Sequence, residues 1–266
     1  MEVEMRTKIL VSGISGTVGR AFVRLLKNNH ELHGIDFNEL GVVKFRRDFP
    51  DIKVSLGDFG DFDFKDKGFD MVLHLAAYKH VDIAEENVFA TIENNVTKTA
   101  KLFKNAKENN VKIVFFSTDK AVEPCSVYGM TKRLGEMMCW ELGGQVIRSG
   151  NIIGSNGSVL DIWRKAIKNK EPLKITDLEM KRYFIDADVA AHIGWDGISF
   201  GRQLVIIDNG GSRKLSDFVN ILLADFGWTV DTYPYGIEII GKRQGERLVE
   251  PIRWEYDGRR EWPCES

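Results

Sequence analysis

With 266 residues, 37 Lys plus Arg and 39 Asp plus Glu, the chain can bury a large core and carries a formal charge of only −2. That balance gives no reason to expect a polyanion such as DNA, so nucleic acid is set aside and small molecules become the expected ligand class. Three cysteines, Cys125, Cys139 and Cys264, show no CxxC spacing, which argues against a disulfide framework or a zinc site, and no metal is expected. The start, MEVEMRTKILVSG, is charged and then strand-like, without an apolar leader, and no run of about 18 apolar residues follows. These features predict a soluble cytoplasmic protein without a membrane span.

Residues 8–12 (KILVS) form a short apolar run, followed by glycines and then AFVRLLKNN, whose apolar spacing of three and four suits a helix. The strand-like pattern returns at 31–36 (ELHGID), 52–58 (IKVSLGD), 70–77 (DMVLHLAA) and 111–117 (VKIVFFS). Each run is short and lacks the alternation of a strand with one wet face, so the expected fold is α/β: a Rossmann-type, doubly wound parallel sheet covered by helices on both sides. Asp82 to Asn109 reads as one long crossover helix, with Ala84, Val88, Ile92, Val96, Ala100 and Phe103 at helical spacing. A second helix is expected over Ser126 to Leu142, and GGQVIRSGN then begins another buried strand. Beyond Asn151 the elements shorten and become irregular. The expected division is a dinucleotide-binding domain over 1–150 and a mainly substrate-binding C-terminal lobe over 151–266, with 203–208 returning to the main sheet.

The segment GISGTVG places Gly13, Gly16 and Gly19 between the first strand and its helix. A dinucleotide pyrophosphate needs backbone N–H groups at a helix N-terminus and a chain that can approach closely, which glycine allows. The spacing is GxxGxxG, and its place in the first βα unit is what gives it weight. Asp36 ends the second strand about twenty residues further on, where a carboxylate accepts hydrogen bonds from ribose hydroxyls. Asp58, after the third strand, is a weaker candidate on the adenine side.

Tyr128 and Lys132 stand at i and i+4, on one face of the helix expected from Ser126. A phenol with an ordinary pKa of about 10 is a poor base at neutral pH, and a neighbouring ammonium stabilises its phenolate. Such a pair can remove a hydroxyl proton while hydride leaves the same carbon. Just upstream, Thr118, Asp119 and Lys120 follow the strand VKIVFFS. Asp119 and Lys120 are open to a second interpretation, a solvated ion pair capping the next helix.

Five blocks carry a resemblance that these patterns alone do not: HLAAYKHV (74–81), STDKA followed by P, YG and TK (117–132), SGNIIGSNGSV (149–159), ITDLEMKRYFI (175–185) and IIGKRQGERLVE (239–250). In this order they resemble the extended short-chain dehydrogenase/reductases, and within them the UDP-N-acetylglucosamine 4,6-dehydratases of the polysaccharide-biosynthesis type. The resemblance implies transient oxidation at carbon 4 of a sugar nucleotide, loss of water across carbons 5 and 6, and return of hydride to carbon 6. By the same resemblance Lys120 takes the carbon 5 proton, Asp119 protonates the leaving hydroxyl, and Thr118 hydrogen-bonds the oxygen on carbon 4. The residues expected against the dinucleotide are Gly13, Ser15, Gly16, Thr17, Val18, Gly19, Asp36, Asp58, Ala76, Ala77 and Asn95, with Tyr128 and Lys132. Lys79, His80, Asn151, Arg182, Arg243 and Glu246 are expected against the sugar nucleotide, with Arg247 assisting; arginine is the natural donor to paired phosphates.

The chain also departs from the family pattern. Asn156 stands where that family usually has arginine, and Ser149 where tyrosine normally precedes GN. Members commonly use NADP, with serine and arginine after the second strand, whereas here Asp36 and Phe37 occupy those places. A carboxylate repels a 2′-phosphate, so NAD is predicted against the family habit of NADP. A homo-oligomer, a dimer or larger, is expected through the helices at 82–109 and 126–142. Two rivals remain at this stage: a 4-epimerase or 4-ketoreductase on the same scaffold, and a non-catalytic dinucleotide-sensing protein.

Overall fold

The computed structural model describes residues 6–155, 157–208 and 210–253, so Asn156 and Cys264 lie outside the described residues. The first part of the chain runs β1 (Lys8–Ser12), α1 (Thr17–Leu26), β2 (Glu31–Asp36), α2 (Glu39–Asp48), β3 (Lys53–Leu56) and β4 (Met71–His74). Then come α3 (Val81–Glu86), α4 (Val88–Ile92), a π turn (Glu93–Thr97), α5 (Lys98–Glu108), β5 (Lys112–Thr118), α6 (Val127–Glu141) and β6 (Gln145–Ser149). The remainder is β7 (Asn151–Ile152), α7 (Val159–Asn169), β8 (Leu173–Ile175), β9 (Lys181–Arg182), β10 (Phe184–Ile185), α8 (Ala187–Ser199), β11 (Leu204–Ile207), β12 (Arg213–Lys214), α9 (Leu215–Ala224) and β13 (Ile237–Ile239).

Seven strands form one sheet in the order β3-β2-β1-β4-β5-β6-β11, every neighbour parallel. It is the doubly wound sheet that the apolar runs predict. The chain order reverses between β1 and β4, and in such sheets ligands bind beyond the carboxyl ends of the strands at that switch point. One face is sealed by α1 and α8, where Phe22, Leu26, Ala187, Ala190 and Ala191 join Ile9, Val11 and Ile147 in a single core. The other is sealed by α5 and α6, with Leu102, Phe103, Ala106, Cys139 and Trp140 against Leu10, Val72, Ile113 and Phe115. A separate core holds the C-terminal lobe, built on Trp163 and Ile167 of α7, Leu173 and Ile175 of β8, and Val219, Leu222 and Leu223 of α9. The chain therefore passes between the two cores more than once, because α8 and β11 belong to the sheet although the elements around them build the lobe.

The expected single helix from Asp82 to Asn109 is instead three helices and a π turn. Asn87 breaks it, with φ −128 and ψ 55. The Ile83 carbonyl accepts both the Asn87 backbone N–H, at 3.0 Å, and its side-chain amide, at 2.9 Å, so the last ladder bond of α3 is doubled where the backbone turns away. The π turn that follows buries Asn94 and Asn95 inside the fold. By contrast, α6 follows its prediction to within a residue at each end, because Ser126 caps it by accepting from the Gly129 N–H at 3.0 Å.

Candidate active site

The glycine loop leaves β1 at the switch point. Gly13 has φ +71, and a Cβ there would stand 2.9 Å from the backbone of Ala76 beyond β4, so only glycine lets the two strand ends approach this closely. Gly16 caps α1, whose first turn contains Thr17, Val18 and Gly19, so their N–H groups face the mouth of the crevice. Asp36 accepts from the Ser15 N–H at 3.1 Å, the Ser15 hydroxyl at 2.7 Å and the Asn38 N–H at 3.1 Å. A carboxylate offers about four acceptor positions, so one remains on the oxygen that faces Asn38. Loop, close approach and carboxylate together fit a dinucleotide.

Two polar residues that the sequence did not single out, His74 and Ser12, hold this end of the sheet together with Asn95, which it did. His74 is fully buried, with Nδ1 2.6 Å from the Ser12 hydroxyl and Nε2 2.9 Å from Thr99. Ser12 also accepts from the Leu75 and Ala76 N–H groups, which ties β1 to β4 directly behind the glycine loop. Burial, reinforced by the Lys132 charge, pulls the His74 pKa well down, so it is a neutral spacer. Asn95 accepts from Tyr78 N–H at 2.8 Å and donates to the Tyr78 carbonyl at 2.9 Å. It also donates to Thr131 at 3.2 Å, so it fixes the loop carrying Ala76, Ala77 and Lys79 against the helix of Lys132. Asp58, after β3, accepts from Gly60 N–H at 2.9 Å and ion-pairs with Lys98.

At the end of β5, Thr118, Asp119 and Lys120 enter a tight turn. Lys120 Nζ donates to Asp119 Oδ1 at 3.0 Å and to Asn151 Oδ1 at 3.1 Å, and Thr118 donates to the same Asp119 oxygen at 2.9 Å. Asp119 is wholly buried and its other oxygen, Oδ2, has no hydrogen-bond partner among the described residues. The pair is thus not a solvated cap; a buried carboxylate with one bare oxygen is costly unless a partner completes it. Tyr128 stands in the first turn of α6. Burial first, and then the Asp119 charge, push its phenol above the ordinary range, while a bond to the Thr118 hydroxyl pulls the other way. Lys132 donates to the Phe116 carbonyl at 2.6 Å and lies 3.9 Å from the centre of the Phe115 ring, so its amine is anchored to β5. Burial lowers its pKa to about 7, opposed by the Glu136 carboxylate one helical turn further on.

The residues expected against the sugar nucleotide spread over both sides of this cleft. Asn151 reaches Lys120, as above. Lys79 and His80 are exposed beyond β4, and the His80 ring closely faces Gly157 of the lobe. Arg182 is buried, its guanidinium donating to the carbonyls of Lys181 at 2.8 Å and Arg247 at 2.9 Å. Arg243 pairs with Asp82 at 3.2 Å, and Glu246 accepts from the Arg243 N–H at 3.0 Å, which closes a turn at the surface. Arg247 pairs with Glu123 at 3.1 Å. Thr118, Asp119, Lys120, Asn151 and Tyr128 therefore form one cluster, while Arg243 and Glu246 stand outside it. Beneath the cluster is a buried pair absent from the sequence-based set: Arg148 forks onto Glu136 at 2.9 and 3.0 Å. A lone arginine inside the apolar run QVIRS was the signal for it. Among the described residues no cluster of side chains could hold a metal ion.

Residues 9–265 match the family described as "Polysaccharide biosynthesis protein". The chain belongs to that family. It is 31% identical over 265 residues, 92% of this chain and 79% of the other, to a protein of Methanocaldococcus jannaschii described as an uncharacterized membrane protein. It is 29% identical over 272 residues to an inverting UDP-N-acetylglucosamine 4,6-dehydratase of Campylobacter jejuni, covering 92% and 77%. Against the probable polysaccharide biosynthesis protein EpsC of Bacillus subtilis it is 35% identical over 191 residues, 68% of this chain, yet spans only 32% of that longer protein. In fold it is similar to DesIV of Streptomyces venezuelae, a dTDP-glucose 4,6-dehydratase solved with NAD, at 21% identity and TM-score 0.81, covering 92% and 88%. It is similarly close to a UDP-N-acetylglucosamine 4-epimerase of Methanobrevibacter ruminantium, at 22% identity and TM-score 0.80, covering 92% and 89%. The fold is thus that of the extended short-chain dehydrogenase/reductases. Among the described residues no helix is long and apolar enough to cross a membrane.

Proposed function

We propose that the protein is a sugar-nucleotide 4,6-dehydratase, with UDP-N-acetylglucosamine as the first substrate to test. The observation that carries this reading is the buried Asp119 with one bare oxygen, joined to Lys120 at 3.0 Å beside Tyr128. Oxidation at carbon 4 alone needs only the tyrosine and its lysine. An additional acid and an additional base are needed when a carbon 5 proton and a carbon 6 hydroxyl must also leave. The bound nicotinamide would accept hydride from carbon 4 and give it back at carbon 6. Tyr128 handles the proton of the carbon 4 hydroxyl, with Thr118 orienting that oxygen. Lys120, held by Asn151, takes the carbon 5 proton, and Asp119 protonates the leaving hydroxyl. The proton gained by Lys120 has a direct path back to Asp119 through their hydrogen bond, which returns the pair to its starting state.

NAD is the proposed dinucleotide. Asp36 keeps one acceptor position, which suits a ribose hydroxyl and repels a phosphate. Arg46 and Arg47 lie in the last turn of α2, roughly 10 Å along the axis from its start, and Arg46 donates to the Val54 carbonyl at 2.9 Å. Two copies are proposed to pair through α3, α4 and α6, where Ile83, Phe89, Ile92, Met130, Leu134 and Met137 are exposed, Phe89 at 90%. Met130, Leu134 and Met137 form a stripe at helical spacing on α6.

The rival with a specific observation behind it is a 4-epimerase, since an epimerase shares the fold as closely as a dehydratase does. Incubation with a panel of UDP- and dTDP-sugars, followed by mass spectrometry, decides between them. Loss of water with solvent deuterium at carbon 5 supports dehydration. A product of unchanged mass with inverted carbon 4 refutes it.

A further inference from the structure

The segment after β13 crosses the mouth of the cleft as a strap. Arg243 holds Asp82 at 3.2 Å and Arg247 holds Glu123 at 3.1 Å. The Lys181 N–H donates to the Leu248 carbonyl at 2.8 Å, and Arg148 reaches the Ile252 carbonyl at 3.4 Å. Between those last two anchors the strap turns one carboxylate inward. Glu250 is only 2% exposed, and among the described residues the cation within 4 Å of it is Arg182, 3.9 Å away, wider than a hydrogen bond. Arg182 spends its donors on backbone carbonyls, which orient its charge without neutralising it. Arg182 is also next to Tyr183, whose carbonyl accepts from the Asn151 N–H at 2.7 Å, and Asn151 in turn holds Lys120. Glu250 is therefore connected to Lys120 through Arg182, its chain neighbour Tyr183, and Asn151.

We propose that Glu250 is a positioning residue for Lys120, an inward-facing carboxylate of the strap that sets how the proton is shared between Lys120 and Asp119. The charges that face it support this: Lys120, Arg182 and Arg247 favour its ionised form, Asp119 opposes it, and burial opposes it most. Arg247 is itself partly compensated by Glu123, and Tyr128 is held neutral, so Glu250 is the carboxylate left to balance Arg182 beside Lys120. Removing its negative charge leaves that arginine uncompensated and disfavours the Lys120 ammonium. Lys120 then becomes a weaker base that is free at lower pH.

The size follows from Coulomb's law: unit charges about 10 Å apart at an effective dielectric of about 20 shift one another's pKa by about one unit. The test is NMR of the protein carrying 13C-labelled lysine and glutamate, with Lys120 assigned through Lys120→Arg. In the wild type, the Lys120 Cε curve is expected to show a second inflection at the Glu250 midpoint, and the Glu250 Cδ curve one at the Lys120 midpoint. In Glu250→Gln the Lys120 midpoint is expected about one unit lower, and Glu250→Asp should restore at least half of that. Independent wild-type curves, or an unmoved midpoint in a folded Glu250→Gln, overturn the proposal. A kinetic arm rests on the dehydratase reading: Glu250→Gln should move the acid limb of kcat to lower pH and lower its plateau by about threefold, with KM unchanged. If the wild type dehydrates no sugar nucleotide, that reading fails, and the titration still decides the role of Glu250.

Discussion

Lys132 makes the fold itself pH-sensitive, and the effect can be sized. Unfolded, its amine titrates near 10.5; folded, burial brings it to about 7. Between these values the unfolded chain holds a proton that the folded chain lacks, so stability rises with pH, by up to about 1.4 kcal/mol for each unit. Cys139 and Tyr128 act oppositely, since burial pushes both acids up and the folded protein keeps protons that the unfolded chain loses above about pH 9. Urea unfolding from pH 7 to 10 should therefore show stability climbing by about 1 to 2 kcal/mol as far as pH 9 and flattening or falling beyond. Lys132→Met, which keeps the apolar stem against Phe115, should remove most of the rise while leaving the decline. Parallel curves for the two proteins between pH 7 and 9 would refute the assignment of a neutral, buried amine. The same titration predicts that turnover changes around pH 7, where Lys132 gains its charge.

Tyr128→Phe should lower turnover by about a hundredfold or more while dinucleotide affinity, measured by titration, stays within a few-fold. Lys120→Ala should bind sugar nucleotide yet incorporate no solvent deuterium at carbon 5; uptake at the wild-type rate would remove Lys120 as the base. Titration of the protein with both dinucleotides should favour NAD, and Asp36→Ser should narrow the gap by roughly tenfold or more; tighter NADP binding by the wild type would contradict the electrostatic argument. Glu136→Gln leaves Arg148 buried without its counter-charge and should cost about 3 to 5 kcal/mol in urea unfolding.

The sheet was legible because strands buried on both faces are continuous apolar runs, and the turn chemistry between β1 and α1 is local. Tyr128 and Lys132 were legible for the same reason, since i and i+4 on a capped helix need no tertiary information. The break at Asn87 was not, because the apolar spacing of Ala84, Val88 and Ile92 carries straight through it. What ends the helix there is the turn of the Asn87 backbone out of the helical region, and what the break achieves is visible only in three dimensions: the π turn aims Asn95 at Tyr78 and Thr131. Glu136 and Glu250 were hidden by distance along the chain, and Arg148 showed only as a lone charge inside an apolar run. Charged residues in a sequence default to the surface, and these three are buried because each meets a partner from another element: Glu136 for Arg148, Arg182 for Glu250. Asp119 and Lys120 are themselves a largely buried charge pair beside the tyrosine, and burying charge is expensive unless every group is held. A scaffold for oxidation alone would have no evident need for that second set. Its presence is a physical argument for an additional acid–base step beside the tyrosine, independent of any likeness to known enzymes.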